Sequence, residues 1–582
     1  MLFVVILSTQ DADDLLEQDI NLPKTTVTQE IIEELVKNPI DINQATFEDL
    51  IKIPFLTPVL AHKIIETRNQ KDKFKSIAEI KPVIGKEIFD EIRQFIIICV
   101  EPAKIQIQFR ARFLIDTLGN ISQTRQWSSS NRIAFSSFNK DNQIKIVLNT
   151  DKDINETNFA DFLSASASIT TKNNKLILGN YVLSFGSQLL FSGPYSYINS
   201  IKNFSVSPMK SISELTGAYE NSSLFGIGFF QTVSNWQIYS FLSSTQLDAD
   251  IKNGCVKRIY YYTRYVDSIT QARRNQLRED LLGFRISKSL MSNQDHALNV
   301  GLSAYHNQYD KPFAPIDSSN SFYGSNLNLM SIDFQSRFNN YFARTEFGYC
   351  LNRGFGNATQ IIGDWQFLKV NLSIYAQEKD FFSPHSKWRT LTNRKDRIMA
   401  SFNIYYNLSG FKMYLLTSTS QNFTVESLPA RVQYKLERKQ NKFNFGLTLK
   451  GSYKESVLNN YGTRLDVSYH ANKYWEILAR FEDKYLKGAA DYGYLFCLSS
   501  KYYIQWFSIE PRFYYFSVSS SQNRIYAYEN YSGSIGFYSN GYRVSLSAQV
   551  KIKQWLKFDY LVGLTRADKS NINSSAQVVI DL

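Results

Sequence analysis

The sequence predicts a mainly β fold, in which a large transmembrane antiparallel β-barrel of about 22–26 strands follows a small all-α domain. Three observations lead to this prediction. The spacing of apolar residues changes near Pro102 from the helical period to strict alternation. Aromatic residues make up 15% of the 582 residues, as expected for a barrel with aromatic girdles. A run of about 18 apolar residues is missing, which argues against transmembrane helices.

The N-terminus carries an apolar segment, Met1 to Leu7, which ends at Ser8 and is followed by acidic residues. This pattern is typical of the apolar centre of a secretory signal peptide, although the basic residues that usually precede it are missing. We interpret residues 1–10 as a signal-peptide remnant, and a frayed apolar N-terminus is the alternative.

Residues 22–101 are predicted to form a helical domain of several short helices. Candidate helix caps recur through the segment, at Thr26, Thr46, Thr57 and Ser76. Thr57 precedes a proline at the first helical position, and Ser76 begins a capping box that ends at Glu79. A last helix is expected within residues 86–95. The segment is too short for a larger fold.

Residues 103–582 are predicted to form the barrel. Apolar and polar residues alternate over about ten positions at a time, which is long enough for a tilted strand to cross a bilayer. Such runs begin at Ala103, Leu163, Leu298, Phe443 and Tyr542. Tyr and Phe cluster near the ends of such runs, as at residues 260–262, 405–406, 502–503 and 514–516. Closure is expected because no strand edge can stay unpaired in lipid.

The net charge of +12 is unevenly distributed. Residues 1–102 hold about 11 basic and about 18 acidic side chains, so the rest of the chain is strongly basic. A basic barrel suits an anionic lipid or polysaccharide surface, and a solvated lumen with its loops produces the same excess. Candidate lumen residues are Arg110, Arg112, Arg543 and Lys551. The segment from Ser192 to Ser213 breaks the alternation and is interpreted as a long loop or an inward-folded constriction.

The sequence lacks the motifs that carry catalysis, including a Walker A loop, an HExxH motif and a nucleophile elbow. Ser303 and His306 are close in sequence, but strand alternation puts them on opposite faces. The four cysteines and five histidines are scattered, without the spacing of a zinc site or a disulfide framework. We therefore expect no catalytic residues, no metal site and no cofactor.

Within the helical domain, a series of short motifs occurs in a specific order. It comprises Asp41 to Thr46, Leu50, Ile53-Pro54, Phe74-Lys75-Ser76 and Pro82-Val83-Ile84-Gly85. The series resembles the paired helix-hairpin-helix domain of the ComEA-like DNA-binding family over residues 39–98. Followed by a long barrel, it is similar to the helix-hairpin-helix outer-membrane proteins of Bacteroidota. That resemblance implies a Gram-negative outer-membrane barrel, surrounded by outer-membrane lipid, with a periplasmic N-terminal domain.

In DNA-binding members of the family each hairpin reads Pro-Gly-hydrophobic-Gly, and the glycines let backbone N–H groups approach a phosphate. Here the first hairpin has lost both glycines, and the second keeps only Gly85. The acidic balance of the domain also opposes binding driven by counterion release. The candidate contacts to a nucleic acid or a protein partner are Thr57, Lys63, Lys81, Gly85 and Lys86.

Three functions are consistent with these observations. The first is a non-enzymatic outer-membrane barrel that serves transport or envelope assembly, with a periplasmic domain that binds a protein partner or closes the lumen. The second is a DNA-binding or DNA-uptake protein of the outer membrane. The third is a simple porin, for which the barrel alone would conduct ions.

Overall fold

The computed structural model describes the chain from residue 35 onward, with gaps. The described residues are 35, 39–43, 45, 47–53, 56–71, 73–98, 103–116, 127–139, 142–152, 160, 162–193, 211–215, 217, 223–260, 265, 267–292, 296–313, 322–365, 367–387, 397–408, 410–421, 430–454, 457–487, 491–520, 523–529, 533–553, 555–567 and 571–581. The predicted signal remnant at residues 1–10 and the predicted caps at Thr26 and Thr46 lie outside these ranges.

The helical domain is built from short helices that follow each other closely. They are α1 (Phe47–Leu50), α2 (Pro58–Lys71), a 3-10 turn (Ile77–Ile80), α3 (Lys81–Ile84), α4 (Lys86–Ile92) and a second 3-10 turn (Arg93–Phe95). Strands β1 (Ile40–Asp41) and β2 (Ile96–Ile97) pair in parallel and tie the two ends of the domain together. The capping box at Ser76 and Glu79 is confirmed, although it begins a 3-10 turn.

The rest of the described chain is almost entirely β-structure. Its strands are β3 (Ala103–Asp116), β4 (Trp127–Asn139), β5 (Asn142–Lys152), β6 (Phe162–Thr170), β7 (Asn174–Leu183), β8 (Ile212–Glu214), β9 (Leu224–Val233), β10 (Trp236–Lys252), β11 (Cys255–Tyr260), β12 (Leu277–Ser292), β13 (His296–Phe313), β14 (Gly324–Phe338), β15 (Tyr341–Cys350), β16 (Gly354–Asp364), β17 (Leu368–Gln377), β18 (Arg397–Leu408), β19 (Phe411–Gln421), β20 (Ala430–Gln440), β21 (Phe443–Lys454), β22 (Val457–Asn472), β23 (Trp475–Leu486), β24 (Asp491–Tyr503), β25 (Phe507–Val518), β26 (Ile525–Glu529), β27 (Gly533–Phe537), β28 (Gly541–Lys553), β29 (Leu556–Arg566) and β30 (Asn571–Asp581). One short helix, α5 (Ser268–Gln271), lies between β11 and β12.

The strands close into a barrel, as predicted. Each strand pairs with its neighbour in antiparallel register, and β30 returns to pair with β3. The short strands β8 and β11 extend the wall beside β7 and β10, while β26 and β27 form a separate hairpin. Within the described residues the continuous ring therefore has 24 strands, an even number inside the predicted range.

The two ends of the barrel differ in their connections. At the end where β3 begins, strands are joined by turns of two or three residues, such as those that contain Asn339 and Asn441 at positive φ. At the other end the longest connections span residues 184–223, 253–276, 378–396 and 519–540. We call these the short-turn end and the long-loop end. Outer-membrane barrels have short periplasmic turns and longer extracellular loops.

Outward-facing side chains form the apolar surface that the alternation predicts. In β13, Leu302 faces outward and is 48% exposed, whereas the adjacent Ser303 faces inward and is fully buried. Large exposed aromatic residues ring the short-turn end: Trp236, Phe338, Tyr341, Phe367, Tyr474, Trp475, Trp506 and Trp555. This ring is an aromatic belt of the kind found at a membrane interface.

The inner face departs from the polar lumen that alternation alone suggests. Residues 184–193 and 378–387, which we call the inner segments, fold into the barrel from the long-loop end. They bind each other, since Ser192 N donates to His385 O at 2.8 Å. Aromatic side chains on the inner wall between β7 and β17, including Phe241 and Tyr305, pack against Phe191. Nine of the 24 strands of the ring, from β7 to β17, therefore face an apolar core.

The described ends of the predicted loop or constriction at Ser192 to Ser213 agree with inward folding. Ser192 belongs to an inner segment, and Ser184 N donates to Ser211 O at 3.2 Å. Residues 194–210 lie outside the described ranges. Of the predicted lumen residues, Arg543 faces inward and is buried against Glu529 of the β26–β27 hairpin, and Lys551 is exposed on the same strand phase. The side chains of Arg110 and Arg112 are not among those described.

An arginine on the outer face should destabilise the barrel in a depth-dependent way. Leu465→Arg places a charge near the middle of β22, and Leu408→Arg places one at the short-turn end of β18. We expect the first to cost about 2–4 kcal/mol and the second about 0–1 kcal/mol. Urea titrations of folding into lipid vesicles, read from heat-modifiable gel mobility, measure both values. Equal costs would show that the outer face is not immersed in lipid.

Candidate functional site at the short-turn mouth of the barrel

The helical domain and the barrel share one hydrophobic core. Phe342 of β15 and Ile362 of β16 are fully buried in the same cluster as Leu50, Leu56 and Ile64 of the helical domain. Both barrel residues lie on the inward phase of their strands, near the short-turn end. The helical domain is therefore seated in the mouth of the barrel, against the inner face of its wall.

An aromatic stack lines this contact. The ring of Phe47 lies 6.1 Å from the ring of Phe342 and stacks on the ring of His62 at 4.2 Å. Because α1 is only one turn long, its position depends on this packing more than on its own hydrogen bonds.

Polar contacts fix the orientation of the domain. Arg337, which is buried near the short-turn end of β14, forms an ion pair with Glu66 of α2. Asp364, at the short-turn end of β16, accepts a hydrogen bond from Thr57 Oγ1 and pairs with Lys369 at 3.1 Å. Removing one partner of a buried ion pair costs about 3–5 kcal/mol, because the other charge stays buried and unpaired. We call the contacts made by β14, β15 and β16 the docking site.

Thr57 has two roles in this arrangement. Its hydroxyl accepts from Leu60 N at 3.3 Å, which confirms the predicted cap of α2, and it donates to Asp364. The side chain is fully buried. Of the residues predicted to contact nucleic acid or a partner, Thr57 is thus placed against the barrel itself and is closed to a nucleic acid while the domain is docked.

The remaining predicted contact residues stay at the surface. Lys63, Lys81, Gly85 and Lys86 are all exposed. The last three are brought together because α3 ends and α4 begins at Gly85, which has φ 86° and open space around the position of a Cβ atom. Arg68 is not part of this basic surface, since it donates to Ile42 O at 3.0 Å and Ala45 O at 2.7 Å.

Burial depresses the pKa of His62. Loss of solvent and the nearby Arg337 guanidinium lower the pKa of this imidazole from 6.5 to about 3. His62 is therefore neutral in the docked state at physiological pH, where its ring stacks on Phe47.

The predicted separation of Ser303 and His306 is confirmed. Ser303 faces inward and accepts from Arg285 Nη1 at 2.9 Å, whereas His306 is exposed on the outer face. Within the described parts of the chain, no group of three or more His, Cys, Asp or Glu side chains is arranged to hold a metal ion. Among the described helices, none has the length and apolar character needed to cross a bilayer.

No pattern in the sequence indicated the docking residues Arg337, Phe342 and Asp364. Each follows the ordinary alternation of its strand, and its partner lies far away in the sequence; Thr57 and Asp364 are 307 positions apart. The sequence contained one partial signal for this contact. A large aromatic residue on the inward phase beside a turn, such as Phe342, indicates that another element of the protein covers it.

Comparison with known proteins finds a family match for the helical domain and solved structures that are similar to most of the chain. Residues 36–97 match the family described as helix-hairpin-helix motif. The siderophore receptor PirA from Pseudomonas aeruginosa is 9% identical with a TM-score of 0.41, over 84% of this chain and 82% of that chain. The translocation pore of the P pilus usher is 7% identical with a TM-score of 0.37, over 82% and 99%. The copper transporter OprC is 9% identical with a TM-score of 0.38, over 82% and 80%. Among proteins with curated descriptions, none is significantly similar in sequence.

Docking should weaken as the pH falls. Because the pKa of His62 is lower in the docked state than its ordinary 6.5, the stabilisation is complete above pH 6.5 and is lost progressively as the pH falls toward 3. At pH 5 the loss is at most about 2 kcal/mol.

Energy transfer between dyes on Lys86→Cys and Asn235→Cys, in a cysteine-free background, measures the docked fraction. We expect transfer to fall between pH 7.5 and pH 5, and His62→Gln to remove most of this change. The same pH profile in both proteins would rule out His62 as its source.

Proposed function

We propose that the chain is a non-enzymatic transport protein of the Gram-negative outer membrane, whose periplasmic helical domain closes the lumen. Several features of the barrel support this location. The ring of strands is even in number, its outer face is apolar, and an aromatic belt surrounds the short-turn end. The helical domain precedes β3, which begins at the short-turn end, and that end is periplasmic in outer-membrane barrels.

The observation that carries the proposal is the docking of the helical domain on inward-facing side chains. A barrel of this size is too wide for its own wall residues to fill, since channels remain open in barrels of about 16–18 strands. The inner segments fill only the side between β7 and β17. The helical domain then covers the short-turn mouth through Glu66, Thr57 and Phe47, and transport requires that it move.

A periplasmic protein partner is the proposed trigger for this movement. The docked domain carries three lysines whose side chains are exposed, Lys63, Lys81 and Lys86. An acidic partner would bind these lysines. If its binding site also included the surface that Arg337 and Phe342 cover, it would bind the undocked domain more tightly than the docked one. The same domain serves envelope assembly if the cargo is a protein instead of a solute.

DNA binding is the alternative, and one observation favours it. Gly85 is exposed, adopts positive φ, and is flanked by Lys81 and Lys86, so a phosphate could approach its backbone. A gel-shift assay of the full chain in detergent, at low and moderate salt, distinguishes the functions. A shift that disappears with Gly85→Val and Lys86→Glu would favour DNA, whereas no shift at low salt supports a protein partner.

Opening of the docking site should raise conductance. In planar bilayers we expect the full chain to show a low conductance, and Glu66→Arg to raise it several-fold, because Arg337 repels the new charge. The exchange Glu66→Arg with Arg337→Glu restores the ion pair and should return the conductance to that of the parent chain.

Two outcomes would contradict the proposal. A high conductance of the parent chain would indicate a simple porin. An unchanged conductance of Glu66→Arg, in a protein that still shows heat-modifiable mobility, would show that the helical domain does not close the lumen.

A further inference from the structure

The inner wall from β18 to β23 differs from the adjoining wall from β7 to β17. The apolar core around the inner segments is built from β7 to β17 and gains only Met399 from β18. Across β18 to β23 the wall borders an open space instead. This space lies inside the barrel, because most of its lining residues belong to the inward phase of their strands.

The register of the sheet arranges the lining in a row. Asn403 pairs with Leu416, Leu416 with Gln433, Gln433 with Lys450, Lys450 with Gly462, and Gly462 with Lys484. Neighbouring strands are about 4.8 Å apart, so the row spans roughly 24 Å. Gly462 leaves the wall without a side chain between two lysines.

Two amides in this row have buried polar atoms without a partner. Asn403 and Gln433 are 2% and 7% exposed. Neither Asn403 Oδ1 nor Gln433 Nε2 has a hydrogen-bond partner among the described residues. Buried polar atoms are normally hydrogen-bonded, because leaving one unpaired inside a protein is unfavourable. These two atoms, one an acceptor and one a donor, lie on either side of Leu416.

The charge of the row is positive. Arg431, Lys450 and Lys484 line the space together with a single inward carboxylate, that of Glu482. Glu482 is already compensated, since Arg464 Nη2 lies 2.5 Å and Lys450 Nζ 3.7 Å from its carboxylate oxygens. Lys450 keeps 23% of its side chain exposed to the space. An anion placed here would therefore meet a field that its own charge favours.

An apolar surface adjoins the row on the side toward the short-turn end. Tyr405 and Tyr414 are paired across strands with their rings 4.9 Å apart, and Tyr414 packs with Leu416. An apolar face beside a few convergent polar groups is the usual composition of a site for a small organic molecule.

We propose that this wall is a binding subsite for a small hydroxylated organic anion, a sugar acid or a sugar phosphate. The hydroxyl groups pair with Asn403 and Gln433, and the anionic group lies between Lys450 and Lys484. The ligand's apolar face lies against Leu416 and Tyr414. The subsite rests on the proposed transport function for its biological meaning, since it would be a station along the lumen, but its occupancy does not depend on transport.

Calorimetry of the full chain in detergent tests the proposal with D-glucuronate, D-glucose 6-phosphate, D-glucose and inorganic phosphate as probes. We expect one or both hydroxylated anions to bind at least tenfold more tightly than glucose and inorganic phosphate; which of them binds identifies the anionic group. Lys450→Met and Gln433→Leu should each weaken that binding about tenfold. Lys551→Met, which removes an inward-phase lysine at the short-turn end, is the matched control and should have no effect.

The proposal is overturned if neither hydroxylated anion binds, if glucose or inorganic phosphate binds equally well, or if Lys551→Met weakens binding as much as Lys450→Met. If a variant fails to show heat-modifiable mobility, a competition experiment on the parent chain replaces it. The subsite is contradicted if excess inorganic phosphate or glucose abolishes the binding of the hydroxylated anion. Because calorimetry in detergent needs neither a membrane nor an opened helical domain, these outcomes are independent of the conductance measurements.

Discussion

The structure depends on one constraint, which is that lipid offers no hydrogen-bond partner to a peptide group. Every N–H and C=O that lies in the membrane must pair within the protein, and a sheet meets this requirement only by closing on itself. Here closure is achieved by pairing β30 with β3. A ring of 24 strands leaves a wide interior, so the space inside must be filled or covered by other parts of the chain.

The interior is filled from both ends. From the long-loop end come the inner segments and the β26–β27 hairpin, and from the short-turn end comes the helical domain. Two buried arginines of the inner wall pair with carboxylates: Arg285 donates to both oxygens of Asp333, at 2.5 and 3.0 Å, and Arg543 to both oxygens of Glu529, at 2.9 and 2.7 Å. Such pairs offset their own desolvation only when the geometry is bidentate, so they favour one seating of each inserted element over others.

The barrel could be predicted from the sequence because its determinants are local. Alternation over several residues, as in the eight from Phe443 to Lys450, reports the outward face of a strand directly, and the caps at Thr57 and Ser76 lie next to the helices they begin. The part of the lumen that the inner segments fill could not be predicted in this way. In β10 both Phe241 and Leu242 are apolar, because one packs inside and the other faces outward, so alternation is lost where both faces are dry. The docking site was equally hidden, since its partners meet only after the barrel has closed.

This arrangement gives a physical reason for the glycines that are missing from the hairpins. The first hairpin ends at Thr57, which lies against the barrel wall. At that position a backbone that is free to bind phosphate has no function. The second keeps Gly85 and remains exposed. The helical domain thus places its first hairpin against the barrel and leaves its second hairpin exposed.

Disulfide trapping tests the seating of the helical domain most directly. In a background where the four native cysteines are replaced by serine, Thr57→Cys and Asp364→Cys place two thiols where a hydroxyl and a carboxylate are hydrogen-bonded. Docking predicts a disulfide on mild oxidation of the membrane-embedded chain, seen as a mobility change that reductant reverses. The pair Lys86→Cys and Asp364→Cys should remain unlinked. Absence of the Thr57–Asp364 disulfide, or equal linking of both pairs, would contradict the docked arrangement.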